Sequence, residues 1–342
     1  MTKKAINDAK NVVQETFDGF LGAYGKYFHQ LEGVTAIAKN RMDADKVGLV
    51  IGGGSGHEPV FLEYIGAAYA DAVAQGQIFA APSPDIILAA TRAADRGRGV
   101  LYVYGNYAGD NLNFDMAVEL ADLDGIRTAT VRVMDDVASA PPERMSDRRG
   151  IAGDFYVLKI AGAVCDAGLD LDEVKRVTEK SRDHVRSMGV AFSPGTIPGA
   201  SKAAFELPED EIEIGMGLHG EPGVRRGKML PVNDLVDQIL ELILLDKPMV
   251  KGEEVCVLVN GFGATTRMEL WIVMRRALSV LAGNGIKVYD SLAGNFATCQ
   301  EMAGFSITLF RLDEELKKYF DWPAWCPAYT NYGVGNNSAC RH

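Results

Sequence analysis

The chain has 342 residues, enough for two domains of roughly 100 to 200 residues each. Its composition, 47% hydrophobic and 24% charged with 37 Gly and 13 Pro, excludes a disordered or fibrous chain. The 35 Lys and Arg against 46 Asp and Glu leave a net charge of −11, which repels nucleic-acid phosphate and anionic lipid at long range and argues against both as partners.

Apolar residues at Ala5, Val12, Val13, Phe17, Phe20 and Leu21 predict an amphipathic helix over 5–22. This polar start lacks the apolar core of a signal peptide. No apolar run reaches the ~18 residues that a membrane span needs, so a cytoplasmic enzyme is expected. Residues 46–51, KVGLVI, form an apolar run ending in GGGSGHEP, which reads as a strand entering a glycine turn, with a helix expected over 60–70. The alternation continues with strand 77–80, helix 83–94 behind a Ser-Pro-Asp start, strand 99–104, helix 113–123 and strand 128–133. A polar loop with Pro141, Pro142 and Arg148-Arg149-Gly150 follows. Strands alternating with helices predict βαβ units and a largely parallel sheet covered on both faces.

Helices are expected over 153–168 and 171–188. Beyond Gly189 strand-like runs at 189–193, 211–217, 254–260, 287–292 and 306–311 mix with helices over 232–245 and 266–283. The expected division is therefore an N-terminal α/β domain, 1–188, and a C-terminal α+β domain, 189–342. The tail from Trp322 carries no regular pattern. Five cysteines, odd in number and without metal-pair spacing, indicate neither a disulfide framework nor a zinc site.

Three glycine-rich loops carry the candidate chemistry. In VIGGGSGHEP, consecutive glycines either let backbone N–H groups approach an anion or a carbonyl oxygen, or simply make a tight turn. The spacing fits neither the dinucleotide fingerprint nor the Walker phosphate loop, which counts against a nicotinamide-dependent dehydrogenase. His57 follows a strand, where open α/β sheets face their ligand crevice. In GNYAGDN, Asp110 is either a general base or a turn and helix-cap residue. In GMGLHGEPG, His219 stands among glycines, and His219-Gly220-Glu221-Pro222 echoes Gly56-His57-Glu58-Pro59. Two of only five histidines in such loops point to imidazole acid–base or nucleophilic chemistry, whereas His29, His184 and His342 read as surface groups. Asp135-Asp136 is either a Mg2+ ligand pair or a solvated strand end, and the second is favoured because adjacent carboxylates diverge. Residues 260–266 read as strand, turn and helix cap, and 302–309 as core.

Together GGGSGHEP, GNYAGDNLNF and GMGLHGEPG, in this order and spacing, resemble the K subunit of dihydroxyacetone kinase, the Dak1 domain family. The resemblance extends through YIG (64–66), PSPD (82–85), DDVA (135–138), RRGIAG (148–153), GATT (263–266) and MAGFSITL (302–309), almost the whole chain. It implies a two-domain α/β fold whose N-terminal domain is a Rossmann-like sheet with helices on both faces. It also implies a subunit that holds a short-chain ketose while a separate L-type subunit, or a fused domain, carries the nucleotide. On that resemblance His219 adds to the ketone carbonyl and holds the substrate as a hemiaminal, and Asp110 accepts the proton of the attacking hydroxyl. His57 would hydrogen-bond the substrate and assist proton transfer. Backbone groups of Gly53, Gly54 and Ser55 would contact its hydroxyls, with Gly56 and Gly105 lining the same site. The resemblance further implies a homodimer with no cofactor or metal held tightly on this chain. The phosphoryl donor would be ATP, or ADP recharged by a phosphotransferase relay, with Mg2+ on the partner subunit.

One departure is notable. The family's Lys before the Asn-Tyr of the second loop is Gly105 here. Losing that cation leaves room for a longer ketose such as erythrulose, or weakens handling of the phosphoryl group. The alternative reading is a non-catalytic ketose-binding paralogue that acts as a regulator.

Overall fold

The structure, a computed structural model, describes residues 3–42, 45–217, 220–221 and 223–333. In chain order they form α1 (Val12–Tyr24), β1 (Phe28–Gln30), β2 (Ala36–Lys39), β3 (Gly48–Ser55), β4 (Ala72–Ile78), α2 (Pro84–Ala94), β5 (Val100–Gly105), α3 (Ala108–Leu123) and β6 (Thr128–Val133). There follow α4 (Asp154–Asp166), α5 (Leu171–Asp183), β7 (Val185–Ser193), β8 (Glu211–Ile214), β9 (Arg225–Lys228), α6 (Val232–Asp246), β10 (Glu254–Gly261) and α7 (Arg267–Gly283). The last elements are β11 (Lys287–Gly294), β12 (Ala303–Leu312), α8 (Glu314–Phe320), β13 (Ala324–Cys326) and β14 (Tyr329–Asn331).

These elements fall into two units that are not contiguous halves. One comprises Lys4–Arg132, Tyr156–Ser181 and the described residues from Glu314 on; the other contains Val133–Phe155 and Arg182–Asp313. The expected division at 188/189 differs from this because it falls inside β7, a strand committed along its length to one sheet. A boundary sought as a single change of texture also cannot reveal a chain that passes back and forth.

The first unit carries a six-stranded sheet in the order β1-β2-β4-β3-β5-β6. Strand β3 pairs in parallel with β4 and β5, while β2 joins β4, and β1 joins β2, antiparallel. All eight positions of β3 are buried, as expected of a central strand covered on both faces, which is why its sequence reads as a continuous apolar run. Ile87, Ala90 and Ala94 of α2 and Phe114 and Ala117 of α3 close one face over Val50, Ala72, Ala74, Val100 and Tyr102. The alternating pattern and the parallel centre agree with the sequence reading.

Several expected elements differ. Residues 60–70 form turns, not a helix. Ala68 takes φ +51, Ala67 bridges Trp325, and a Cβ on Gly66 would lie 2.0 Å from the Trp325 carbonyl oxygen. Tertiary pairing overrides the local apolar pattern there. Helix α1 begins at Val12, not at residue 5, and the strand expected at 77–80 runs earlier, as β4. Helix α5 ends at Asp183, because Val185 and Arg186 already pair with Phe310 and Leu309 of β12. Helix α8 precedes the tail from Trp322, and within that tail the β13–β14 hairpin is regular. No described helix is long and apolar enough to cross a membrane. Cys165, Cys256, Cys299 and Cys326 are buried free thiols, and Cys340 lies outside the described residues.

The second unit has a sheet in the order β11-β10-β12-β7-β8-β9, antiparallel except for β10 with β11. Leu235, Ile239 and Ile243 of α6 and Leu270, Val273, Ala277 and Leu281 of α7 form its core with Val255, Val257, Val259, Ile307 and Leu309. The GATT motif supplies the α7 cap, since the Thr266 side chain accepts from Glu269 N and Glu269 accepts from Thr266 N. A buried ion cluster ties this unit together. Arg148, with no exposed surface, donates from Nη1 to Asp246 Oδ2 at 2.9 Å and from Nη2 to Oδ1, and Arg186 Nε donates to Oδ2 at 2.7 Å. Burial pushes the Asp246 carboxyl up, but the hydrogen bonds from Arg148 and Arg186 outweigh it and hold the group below its ordinary range.

Asp246→Asn is expected to cost about 3–5 kcal/mol, because it strands two buried guanidinium groups. A depressed native pKa means that Asp246's contribution is complete above the unfolded carboxyl value near 4 and fades as pH falls through the lower native value. Chemical denaturation at neutral and acid pH checks both points: the difference between wild type and variant should be largest at neutral pH and shrink towards acid.

Candidate active site

The parallel pairing of β3 and β5, with Val50 opposite Tyr102 and Ile51 opposite Val103, brings the carboxyl ends of both strands to one sheet edge. That edge is where open α/β sheets place their ligands. At the end of β3 the chain turns through Gly56 at φ +97, and the Glu58 carboxylate accepts the Gly56 N–H at 3.1 and 3.0 Å on its two oxygens. Burial pushes the Glu58 carboxyl up against those bonds. Ser55 Oγ donates to the Gly76 carbonyl at 2.7 Å, and Phe79 N donates to Ser55 O at 2.9 Å. Between these anchors His57 is 4% exposed, its ring stacked on Phe79 with centroids 4.8 Å apart. Phe79 holds φ +57, a strained conformation for an aromatic residue and one that accompanies functional loops.

The glycines before His57 have a packing duty. A Cβ on Gly53 would lie 2.1 Å from the Phe61 ring, and one on Gly54 2.8 Å from Ala80 N. Their side-chain space is filled by protein.

At the end of β5, Gly105 is buried and its carbonyl accepts from Tyr107 N at 2.9 Å. Helix α3 starts at Ala108, so half-buried Asp110 sits in its first turn, where the helix dipole favours a carboxylate. Asn113 Nδ2 donates to Pro82 O at 2.8 Å, tying this turn to the PSPD start of α2, and Asn111 Nδ2 donates to Asn106 Oδ1 at 2.8 Å. Gly53, Gly54, Ser55 and Gly105 thus lie on strand ends, Gly56 and His57 in the turn after β3 and Asp110 in the first turn of α3, all at this edge.

Of the third loop, Gly215–Gly217, Gly220, Glu221 and Gly223 are described, while Leu218, His219 and Pro222 lie outside the described residues. The neighbouring DDVA motif departs from expectation. Asp135 and Asp136 are 0% and 1% exposed, not a solvated strand end. Asp135 accepts from Ile151 N and Gly153 N, each at 2.8 Å, and Asp136 pairs with Arg149 at 2.8 Å. Burial pushes both carboxyls up, Asp136 to about 6 against the opposing Arg149 charge. Among the described residues no group of three or more His, Cys, Asp or Glu side chains could hold a metal. Sequence reasoning missed Phe61, Phe79 and Arg149; only the arginine, doubled in RRG, carried a signal. His29 is exposed as expected, and His184 is half-buried with Nδ1 3.1 Å from the Arg311 carbonyl.

The sequence matches the Dak1 domain over residues 18–328. The chain belongs to the Dak1 domain family. It is 45% identical over 329 residues to the dihydroxyacetone-binding subunit DhaK of PTS-dependent dihydroxyacetone kinase 2 of Listeria innocua, covering 96% of this chain and 99% of that one. It is 40% identical to a D-erythrulose kinase of Mycolicibacterium smegmatis, covering 95% of this chain but only 56% of that longer protein. The crystal structure of the C. freundii dihydroxyacetone kinase superposes with a TM-score of 0.89 at 29% identity, over 97% of this chain and 61% of that one. A dihydroxyacetone kinase operon co-activator superposes at 0.87, also 29% identical, over 93% and 98%. The kinases among these relatives are phosphotransferases with an alcohol group as acceptor, and this Dak1 chain is of that enzyme class.

Gly53→Ala is expected to destabilise this Dak1 chain by about 1–3 kcal/mol, the usual cost of overpacking. Adding Phe61→Leu should recover part of that loss. Thermal unfolding of both variants, with Phe61→Leu alone as reference, makes the comparison.

Proposed function

We propose that the chain is the substrate-holding component of a short-chain ketose kinase, with a separate L-type subunit bearing the nucleotide and Mg2+. The observation that carries this is the emergence of His57 and Asp110 at one sheet edge in a chain 45% identical to a dihydroxyacetone-binding subunit across 99% of that subunit's length. In this reading the neutral imidazole of His219 adds N–H across the ketone: a C–N bond forms, the carbonyl π bond becomes O–H, and nothing is oxidised. His57 hydrogen-bonds the substrate and assists that proton movement. Asp110 takes the proton from the terminal hydroxyl as its oxygen forms the new O–P bond and the donor's P–O bond breaks. Gly53, Gly54, Ser55, Gly56 and Gly105 line the substrate. The donor is ATP, or ADP recharged by a phosphotransferase relay, the latter in keeping with the PTS-dependent relative. The chain works as a homodimer.

Gly105 and the erythrulose kinases among the relatives favour a four-carbon ketose alongside dihydroxyacetone. A second reading, a ketose-binding regulator, draws on the structural likeness to the operon co-activator.

With an L-type partner supplied, turnover of dihydroxyacetone or an erythrulose enantiomer but not of glycerol is expected. His219→Ala should abolish tight ketone binding, and Asp110→Asn should keep binding while lowering kcat about 10²- to 10⁴-fold. Gly105→Lys should shift preference towards dihydroxyacetone. Full activity in His219→Ala would remove the covalent step, and ketone binding without turnover, beside a partner proven on another Dak1 chain, would leave the regulator.

A further inference from the structure

The adjacent arginines of the RRG motif serve different acids. Arg148 belongs to the buried cluster on Asp246, and Arg149 turns to the loop that follows β8. Its guanidinium, 13% exposed, lies along Asp136, with Nε and Nη2 donating to Oδ2 at 3.1 and 2.8 Å. The same Nη2 donates to the Gly215 carbonyl at 3.2 Å, and Nη1 lies 3.7 Å from Glu221 Oε2. One side chain thereby touches both the start and the end of the segment 215–221. The arginine is itself fixed: its N–H donates to Ser139 Oγ at 3.0 Å, its carbonyl accepts from Asp136 N at 3.1 Å, and Ser139 Oγ donates to Asp136 O at 2.8 Å.

The segment's described glycines fit this clamp. A Cβ on Gly217 would sit 2.3 Å from Glu221 Oε2 and 2.5 Å from Arg149 Nη1, and one on Gly215, at φ +81, 2.5 Å from Ala138 Cβ. Gly217 N donates to Glu221 O at 3.1 Å and Gly220 N to Gly217 O at 3.1 Å. At Gly217 the space of a side chain is taken by the Glu221 carboxylate and the Arg149 guanidinium, whereas Gly215 answers to its positive φ and to Ala138.

The geometry points to Arg149, oriented by Asp136, as a positioning residue that sets the 215–221 loop for ketone capture. This rests on the proposed role of His219. A planar fork can reach Asp136, a backbone carbonyl and Glu221 together, whereas the single ammonium of lysine cannot.

The test compares Arg149→Lys, Arg149→Ala, Asp136→Asn and His219→Ala in the full chain. It measures thermal unfolding, the bound adduct of carbonyl-13C-labelled dihydroxyacetone and erythrulose by NMR, and amide exchange at Gly217 and Gly220. Arg149→Lys should melt near wild type, weaken adduct formation about 10- to 100-fold, the worth of charge-assisted hydrogen bonds, and speed exchange at both glycines. Asp136→Asn should act in the same direction and add little to Arg149→Lys, since both break one linkage. A folded Arg149→Lys or Arg149→Ala with wild-type adduct affinity and unchanged exchange overturns the proposal. Should His219→Ala retain the adduct, the covalent reading falls alone, and glycine exchange in Arg149→Lys still decides whether the clamp exists.

Discussion

Parallel pairing of β3 with β5 is the constraint on which the candidate site depends. Parallel strands send their carboxyl ends to the same edge, so whatever follows each strand is delivered to one place whatever its sequence. Here β3 ends within GGGSGHEP, at Ser55, and β5 ends on the first residue of GNYAGD, the two separated by about fifty residues of chain that include β4 and α2. The register Ile51 opposite Val103 fixes how far each strand projects, and the Asn113–Pro82 hydrogen bond joins the start of α3 to that of α2. The loops are short and anchored. Ser55 on Gly76, Phe79 on Ser55 and Glu58 on Gly56 restrain the histidine turn from three directions, the kind of support a proton-transfer group needs to keep its reach.

Buried charge organises the second unit. A buried ion pair is weak evidence of stability, because desolvation costs nearly what the attraction returns. Its value lies in direction. Arg148 is fully buried and joins the loop before α4 to Asp246 at the end of α6 and, through that carboxylate, to Arg186 of β7. Removing any member leaves a charge without its counterpart, which penalises alternative packings more than the cluster favours the native one. Arg149, one residue on, has the opposite disposition: its partner Asp136 is buried, but the guanidinium extends to the backbone of a loop. Neighbouring identical residues thus divide between holding the core and shaping the site.

Much of the first unit was legible in the sequence, because continuous apolar strands, glycine turns and helix starts recur with the period of βαβ units. The sequence pattern ends the two strands at Ile51 and Tyr104, whereas β3 runs on through three glycines to Ser55 and β5 to Gly105. What escaped did so for physical reasons. Residues 60–70 look helical by composition, yet Trp325, over 250 residues further on, sets their backbone. Ala36–Lys39 and Ala72–Ile78 are alanine-rich strands with little intrinsic β preference, made strands by their neighbours. Asp135-Asp136 reads as a solvated end because adjacent carboxylates diverge, and nothing local announces that Ile151 N, Gly153 N and Arg149 will receive them. Of the site, the histidines and Asp110 were visible as residue types in glycine loops, whereas Phe79 and Phe61 act only through contacts.

The glycines sharpen the proposed chemistry. Gly53 and Gly54 are denied side chains by Phe61 and by the backbone at Phe79 and Ala80, so their composition alone carries no information about ligand. What distinguishes a ketone from glycerol must then come from a group able to sense the carbonyl, because both molecules present the same terminal hydroxyls and the same number of heavy atoms. Small ligands gain at best about 1.5 kcal/mol per non-hydrogen atom, and hydrogen bonds to shared hydroxyls divide equally between them. Addition of an imidazole to the carbonyl carbon has no counterpart with glycerol. The discrimination becomes one of reactivity, and in that reading the geometry of the loop bearing His219 governs specificity as much as affinity. That loop is where Arg149 spends its charge.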